Sequence, residues 1–227
     1  MAFISYLVDR LKKESSPELV TLKSSEFSPW FAGKEFSADW TSGHFPNWVT
    51  ILSPMRDSPV KVLEIGSYEG FSALFFLNFL SRSSIVCVDP WHASYQVAEI
   101  AKLVPGIEKQ YSLSEARFDR NLRDYSNRLT KIKAASADAL GELGVRGERF
   151  DMIYVDGSHR RLDAYRDCTL SWPLLKSGGT LLIDDYEFGA RLSNDLKPRQ
   201  GVDAFMQNVF GQYDELHRSY QIAIQKR

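Results

Sequence analysis

From residue 60 onward, short and continuously apolar runs alternate with longer helix-like ones, and this alternation restricts the fold more than any other feature of the chain. VKVLEIG (60–66) reads as a strand and GFSALFFLNFLSR (70–82) as a helix rich in large apolar residues. SIVCVD (84–89) is a second strand. A mixed stretch over 91–128 contains a helix, SEARFDRNLRDYSNRL, and TKIKAAS (130–136) is a weak third strand followed by a short helix, ADALGEL. RFDMIYVDG (149–157) is a fourth strand, and RRLDAYRDCTLSWPLLKSGG a helix whose glycine pair predicts its C-cap. TLLIDD (180–185) is a fifth strand; the tail adds a helix, GVDAFMQNVFG, and two short strands near 212–217 and 219–225 around a tight turn.

Strands that are apolar along their whole length are buried on both faces, which a parallel sheet covered by helices provides. The two closing strands, joined by a turn, must pair antiparallel. The predicted class is α/β, a mostly parallel sheet with helices on both faces, and 227 residues fit one such domain with some extra segments. In such sheets the ligand crevice lies beyond the carboxyl ends of the strands. Glu64 with Gly66, Asp89, Asp156 and the adjacent pair Asp184 and Asp185 all fall at that edge.

The first part of the chain differs. Phe3, Tyr6, Leu7 and Leu11 share a face of a short amphipathic helix. FSPWFAGKEFSADWTSGHFPNW then sets Trp30, Phe31, Phe36, Trp40, Phe45 and Trp48 among Gly, Ser and Pro. Aromatics at that density must pack on the main domain or over its cleft. The chain therefore divides into a cap segment, 1–58, and a main domain, 59–227.

A formal net charge of -1 argues against a nucleic-acid or membrane-surface binder, which carries a basic excess. No run reaches the roughly 18 to 20 apolar residues that span a bilayer, and the start lacks the pattern of a secretory signal, so a cytoplasmic location is expected. Cys87 and Cys168 lie far apart, without metal-ligand spacing, and read as buried free thiols. Oligomeric state, including a homo-oligomer, is left open.

VLEIGSYEGFS (62–72) joins a strand to a helix through Gly66 and Gly70. Glycines there let the backbone approach a ligand, and the helix N-terminus offers N–H groups, although a tight strand-to-helix turn needs glycine for packing as well. The form is E-x-G-x-x-x-G rather than the G-x-G-x-x-G of a dinucleotide site, which disfavours a nicotinamide dehydrogenase. Asp89 follows about 20 residues later, where an acid accepts hydrogen bonds from ribose hydroxyls. With Trp91 beyond it to pack near a base, the combination reads as an adenosine site with no provision for a pyrophosphate.

Here the residues carry a resemblance. VLEIGSYEGFSALFFL resembles the cofactor loop of class I S-adenosylmethionine-dependent methyltransferases, its G-x-Y-x-G form being closest to the catechol O-methyltransferase-like group. FDMIYVDGSHRRLDAYRDCTLSWPLLKSGGTLLIDDY is similar to the second half of that fold in small-molecule O-methyltransferases, including macrocin-type sugar methyltransferases. The stretches FSADWTSGHFPNW and YQIAIQKR resemble the same broad set, so the likeness covers roughly 36 to 227. It implies a Rossmann-like, seven-stranded sheet of order 3-2-1-4-5-7-6 with strand 7 antiparallel, and S-adenosyl-L-methionine as cofactor. By position it places Glu64, Gly66, Ser67, Tyr68 and Gly70 around the methionine part and Asp89 with Trp91 around the ribose and base. Ser136, Ala137 and Asp138 fall at the adenine, in KAASAD where Gly-Asp-Ser is frequent, and Asp156 also borders the cofactor.

Two adjacent carboxylates, Asp184 and Asp185, repel by about 4 kcal/mol at 4 Å and an effective dielectric of about 20. Strands four and five should be neighbours, so Asp156, Asp184 and Asp185 converge, and oxygen ligands from two segments with waters suit Mg²⁺ or a similar cation. The resemblance implies the same metal role, gripping the oxygens of a small hydroxylated substrate. His159, three residues past Asp156, stands where catechol-like members hold a lysine base. Its ordinary pKa of about 6.5 suits proton abstraction, the alternative being a cap or loop contact. Asp185 is alternatively a turn residue.

The expected function is methyl transfer to a hydroxyl of a small molecule, with Asp156 and His159 catalytic and a divalent metal assisting. The alternatives are a metal-independent methyltransferase with His159 as base, and a non-catalytic module that keeps the cofactor fold. The aromatic cap and the insertion 92–112 are the expected determinants of substrate choice.

Overall fold

In the computed structural model, residues 27–92, 107–189 and 194–227 are described. The amphipathic helix expected near the N-terminus and most of the insertion expected over 92–112 lie outside them. Seven strands form one sheet: β1 (Lys61–Ile65), β2 (Ser84–Asp89), β3 (Leu129–Lys133), β4 (Phe150–Val155), β5 (Leu175–Ile183), β6 (Tyr213–Arg218) and β7 (Ile222–Lys226). Their order is 3-2-1-4-5-7-6, as expected. Pairing is parallel from β3 through β5, and β7 runs antiparallel to both β5 and β6.

The helices are α1 (Ser28–Phe31), α2 (Phe45–Leu52), α3 (Phe71–Phe79), α4 (Ile107–Leu122), α5 (Ser136–Val145), α6 (Arg161–Ser171) and α7 (Pro198–Asn208). Alternation along the strands divides the core into two layers. Val62, Cys87, Met152, Tyr154 and Leu182 face α3 and the aromatic segment, whereas Leu63, Val86, Ile153, Leu181 and Ile183 face α5, α6 and α7. Cys87 and Cys168 are buried free thiols. No helix among the described residues is long and apolar enough to cross a membrane.

Helix α3 explains the aromatic segment before β1. Nearly every residue of α3 is buried, so the sheet can cover only part of it and something else must cover the rest. Phe31 stacks on Phe71 with ring centroids 4.6 Å apart, Phe45 on Phe75 at 4.3 Å and Trp48 on Phe76 at 4.9 Å. The Trp48 indole N–H donates to Gln221 Oε1 at 2.8 Å, tying α2 to the turn before β7.

Three boundaries differ from expectation. The glycine pair does not cap α6. That helix ends at Ser171, and a 3₁₀ turn over Trp172–Leu174 follows because Pro173 cannot continue the α-helical hydrogen bonding. Gly178 and Gly179 lie inside β5, where the register against β4 jumps from Phe150–Leu175 to Met152–Thr180; Gly178 has φ +77°. The glycines thus accommodate a bulge. Helix α4 begins before SEARF and ends at Leu122, and α7 begins at Pro198, whose fixed φ and missing N–H suit the first turn.

Candidate active site

Gly66 follows β1 with φ +85°, and a Cβ there would stand 1.9 Å from the Asp156 carbonyl oxygen, so only glycine lets the ends of β1 and β4 come this close. Gly70 has φ +81°, and its missing side chain admits Leu122. Between them Tyr68 also adopts positive φ, +42°. The turn is held from β2: Ser67 and Tyr68 N–H groups donate to Asp89 Oδ2 at 3.0 and 2.9 Å, and Trp91 N–H donates to Oδ1 at 2.7 Å. The Trp91 indole N–H reaches the Tyr68 carbonyl at 2.7 Å. Burial raises the Asp89 pKa, while the three backbone donors oppose the rise. Those donors still leave acceptor capacity on a carboxylate with about four lone-pair sites.

Glu64 lies fully buried beneath this turn. Its carboxyl accepts from the Ser72 hydroxyl and, at 3.3 Å, from the Cys87 thiol, and burial pushes its pKa to about 7. Glu64, Ser67 and Gly70 therefore build the loop from behind. Gly66, Tyr68, Asp89 and Trp91 line a cavity of about 450 Å³ beyond the strand ends.

The cavity crosses the sheet edge. Its flank on the α3 side is aromatic: Trp40 stacks on Tyr68 at 5.5 Å, His44 on Tyr220 at 5.6 Å, and Tyr111 joins them. The aromatic segment before β1 is fastened to the glycine turn through Glu69, which is buried. Its Oε2 accepts from Ser37 N–H and its Oε1 from Arg117, both at 2.6 Å. The opposite flank is polar, with Ser136, Asp163, Arg166 and Asp167. Ala137 and the exposed Asp138 stand outside the lining, and Ala135 takes a place in it. Asp167 and Glu69 are absent from the sequence reading. In RRLDAYRDC, Asp167 is one charge among several, and Glu69 differs from a solvated loop acid only through contacts distant in sequence.

Asp156, His159, Asp184 and Asp185 meet at the wall formed by the ends of β4 and β5. Tyr154 places its hydroxyl between Asp184, to which it donates a short hydrogen bond, and Asp156 Oδ2 at 3.2 Å. Burial, then the neighbouring carboxylates Asp184, Asp185 and Glu64, hold the Asp156 pKa well above the usual range. Burial and Asp185 raise that of Asp184, against relief from His44 and the Gln221 amide.

Asp185 turns the other way, with φ +55° and its own N–H on Asp184 Oδ1 at 2.7 Å. Its Oδ2 meets His159 Nδ1 at 2.9 Å and its Oδ1 accepts from the Tyr220 hydroxyl at 2.5 Å. The His159 ring packs on Phe188 at 4.5 Å.

Among the described residues, no three His, Cys, Asp or Glu side chains form a group able to hold a metal ion. The structure does not bring Asp185 in as a third donor, because its oxygens face His159 and Tyr220. Asp156 and Asp184 remain as an oxygen-only pair whose pKa values are raised by burial and by neighbouring carboxylates. That pair fits a hard cation of the Mg²⁺ type, which is commonly held by one or two carboxylates and keeps several waters.

Compared with known proteins, residues 63–186 match the family model described as "Methyltransferase domain". O-methyltransferase hkm8 of Aspergillus hancockii is 28% identical over 133 residues, 58% of this chain and 44% of that protein. The chain thus spans less than half the length of the curated relative it matches. The MycE methyltransferase from the mycinamycin biosynthetic pathway, solved with Mg, SAH and mycinamycin VI, superposes with a TM-score of 0.60 at 17% identity, covering 91% of this chain and 55% of that one. An O-methyltransferase from Bacillus cereus in complex with SAH gives 0.55 at 17% identity, covering 100% and 98%. At these identities the likeness to the solved structures is one of fold.

Proposed function

The chain belongs to the methyltransferase-domain family, and on that premise we propose that it is an S-adenosyl-L-methionine-dependent O-methyltransferase acting on a hydroxyl of a small molecule. The observation that carries this reading is the single cavity that joins the glycine turn and Asp89 to the His159–Asp185 pair, 2.9 Å apart. SAH in the B. cereus fold neighbour, and Mg with SAH in MycE, support the cofactor and the cation.

Bound S-adenosyl-L-methionine supplies a methyl group on a sulfonium, already a good leaving group, and a divalent cation supplies Lewis acidity toward a hydroxyl oxygen. Gly66 lets the backbone approach the cofactor, and Asp89 uses its remaining lone pair on a ribose hydroxyl. Asp185 keeps the His159 Nδ1 proton in place, so Nε2 is the nitrogen that takes the acceptor's proton. Tyr220 fixes Asp185 in turn. Asp156 and Asp184 would hold the cation beside that hydroxyl. Trp40, His44 and Tyr68 wall the acceptor from water and orient it, which converts positioning into rate. Within this reading, residues 1–58 act as the cap and 59–227 as the catalytic domain. The near-neutral charge supports a small-molecule partner, and a cytoplasmic site of action is part of the same reading.

The His159–Asp185 pair also favours a second reading, in which this base works without a cation. Calorimetric titration with S-adenosyl-L-methionine tests the main proposal, and no binding at millimolar cofactor would sink it. Turnover that survives exhaustive chelation yet disappears in His159→Ala would select the metal-free version.

A further inference from the structure

Across the strand edge from His159, the polar flank of the cavity ends on a carboxylate that methyl transfer does not use. Asp167 is carried by α6 and is only 2% exposed, yet it lines the cavity. Its Oδ1 accepts from the Ser136 hydroxyl at 2.7 Å, and the Arg166 guanidinium stands 3.7 Å from the same oxygen, beyond hydrogen-bond length. Oδ2 has no hydrogen-bond donor among the described residues. It lies over Gly157, where an added Cβ would approach it to 3.0 Å, so the glycine keeps this oxygen uncovered. Ile65, Val88 and Ala135 supply apolar wall between Asp89 and this corner.

We infer that Asp167 Oδ2 accepts a hydrogen bond from the exocyclic amine of an adenine base, making Asp167 a cofactor-specificity residue that Ser136 holds in position. The inference rests on the adenosine reading of the cavity. A slot with apolar wall from Ile65, Val88 and Ala135 and an acceptor-only group at its end suits a purine bearing an amine donor. The same slot repels a purine carrying a carbonyl oxygen at that position, because two acceptors would then face each other out of water. Burial brings the Asp167 pKa up to about 6, so the group is an ionised acceptor at pH 8. The acid expected at the adenine from sequence, Asp138, is exposed on α5 and outside the cavity lining.

Calorimetric titration at pH 8 with S-adenosylhomocysteine and with S-inosylhomocysteine, which replaces the amine by a carbonyl oxygen, tests this. The wild-type protein should prefer the adenosyl ligand by about 10- to 100-fold, the range for a hydrogen bond to a charged group. Asp167→Asn, whose amide can donate, should weaken the adenosyl ligand about tenfold and reduce or reverse the preference. Wild-type affinities within threefold of each other overturn the inference, and this measurement needs no variant to fold. An Asn variant that melts cooperatively and keeps the wild-type preference overturns it as well, since a purely structural Asp167 would leave the ratio unmoved. Failure of the wild-type protein to bind either ligand overturns the adenosine reading itself, a result distinct from binding without discrimination.

Discussion

The acids on β2 and those on β4 and β5 occupy equivalent strand ends and live under opposite conditions. Asp89 takes three backbone N–H groups and pins the glycine turn. Asp156 and Asp184 share one tyrosine hydroxyl and press on each other. A carboxylate held by three backbone donors is a fixture of the fold, and its removal should be felt mainly as lost stability. A pair of carboxylates whose pKa values are raised by burial and by neighbouring carboxylates is poised to take up a proton or a cation, and its removal should be felt mainly in chemistry. Asp185, 2.9 Å from His159 Nδ1, belongs with the second group by position and by its link to the proposed base.

The largest expected effect falls on the chemical side. His159→Ala should lower turnover by about 10² to 10⁴-fold, the range for losing a positioned base, while calorimetry shows S-adenosylhomocysteine binding within threefold of wild type. Equal loss of binding and turnover would instead make His159 part of the cofactor site and erase the contrast between the two groups.

Asp89→Ala probes the other group. It leaves the Ser67, Tyr68 and Trp91 N–H groups without their acceptor, and a buried unsatisfied donor costs about 1–3 kcal/mol. Water reaching the turn from the cavity will relieve part of this, so urea denaturation should show a loss of about 2–4 kcal/mol. A variant as stable as wild type would show that Asp89 serves the ligand alone.

How much of this contrast could be read from the chain depends on distance along it. β1, β2, β4 and the second half of β5 announce themselves because both faces are buried, and the sheet order followed from the hairpin and the family resemblance. The glycine pair in β5 misleads because a bulge and a helix C-cap ask the same thing of a residue, freedom at positive φ. Side-chain partnerships are set only when the strands align. Ser136 and Asp167 are 31 residues apart, Ser37 and Glu69 32, and Tyr154 and Asp184 30. The sequence could place acids at the crevice edge, but not say that Asp185 would turn to His159 while Asp184 turned to Tyr154.

Glu64 sharpens the comparison from beneath the turn, because its burial has a pH signature. Its pKa rises from 4.5 to about 7 on folding, chiefly by desolvation. Between those values the folded chain keeps a proton that the unfolded chain has lost, so stability falls as pH rises, and the full penalty is present above pH 7. Glu64→Gln removes the charge and keeps an acceptor for Ser72. Denaturation curves should coincide near pH 4.5 and separate with rising pH, the variant becoming the more stable by about 3 kcal/mol at pH 8.5. A pH-independent difference would mean that Glu64 is not the group titrating beneath the turn.

The smallest effect is the one that tests the cation directly. A ligand that binds only the folded state at ten times its Kd stabilises it by about 1.4 kcal/mol, and in a domain of this size that raises Tm by about 3–6 °C. Mg²⁺ should produce such a shift in the wild-type protein, and Asp184→Asn should abolish it because only one carboxylate of the pair then remains. Asp185→Asn should retain most of the shift while losing turnover, since Asp185 is turned toward His159 rather than toward the pair. If Asp185→Asn abolishes the shift as completely as Asp184→Asn does, the three acids act as one ligand set and the division of labour drawn between them is wrong. If neither the wild-type protein nor any variant responds to Mg²⁺, the crowding at the strand ends is relieved by a proton, and the metal-free version of the mechanism is the one to pursue.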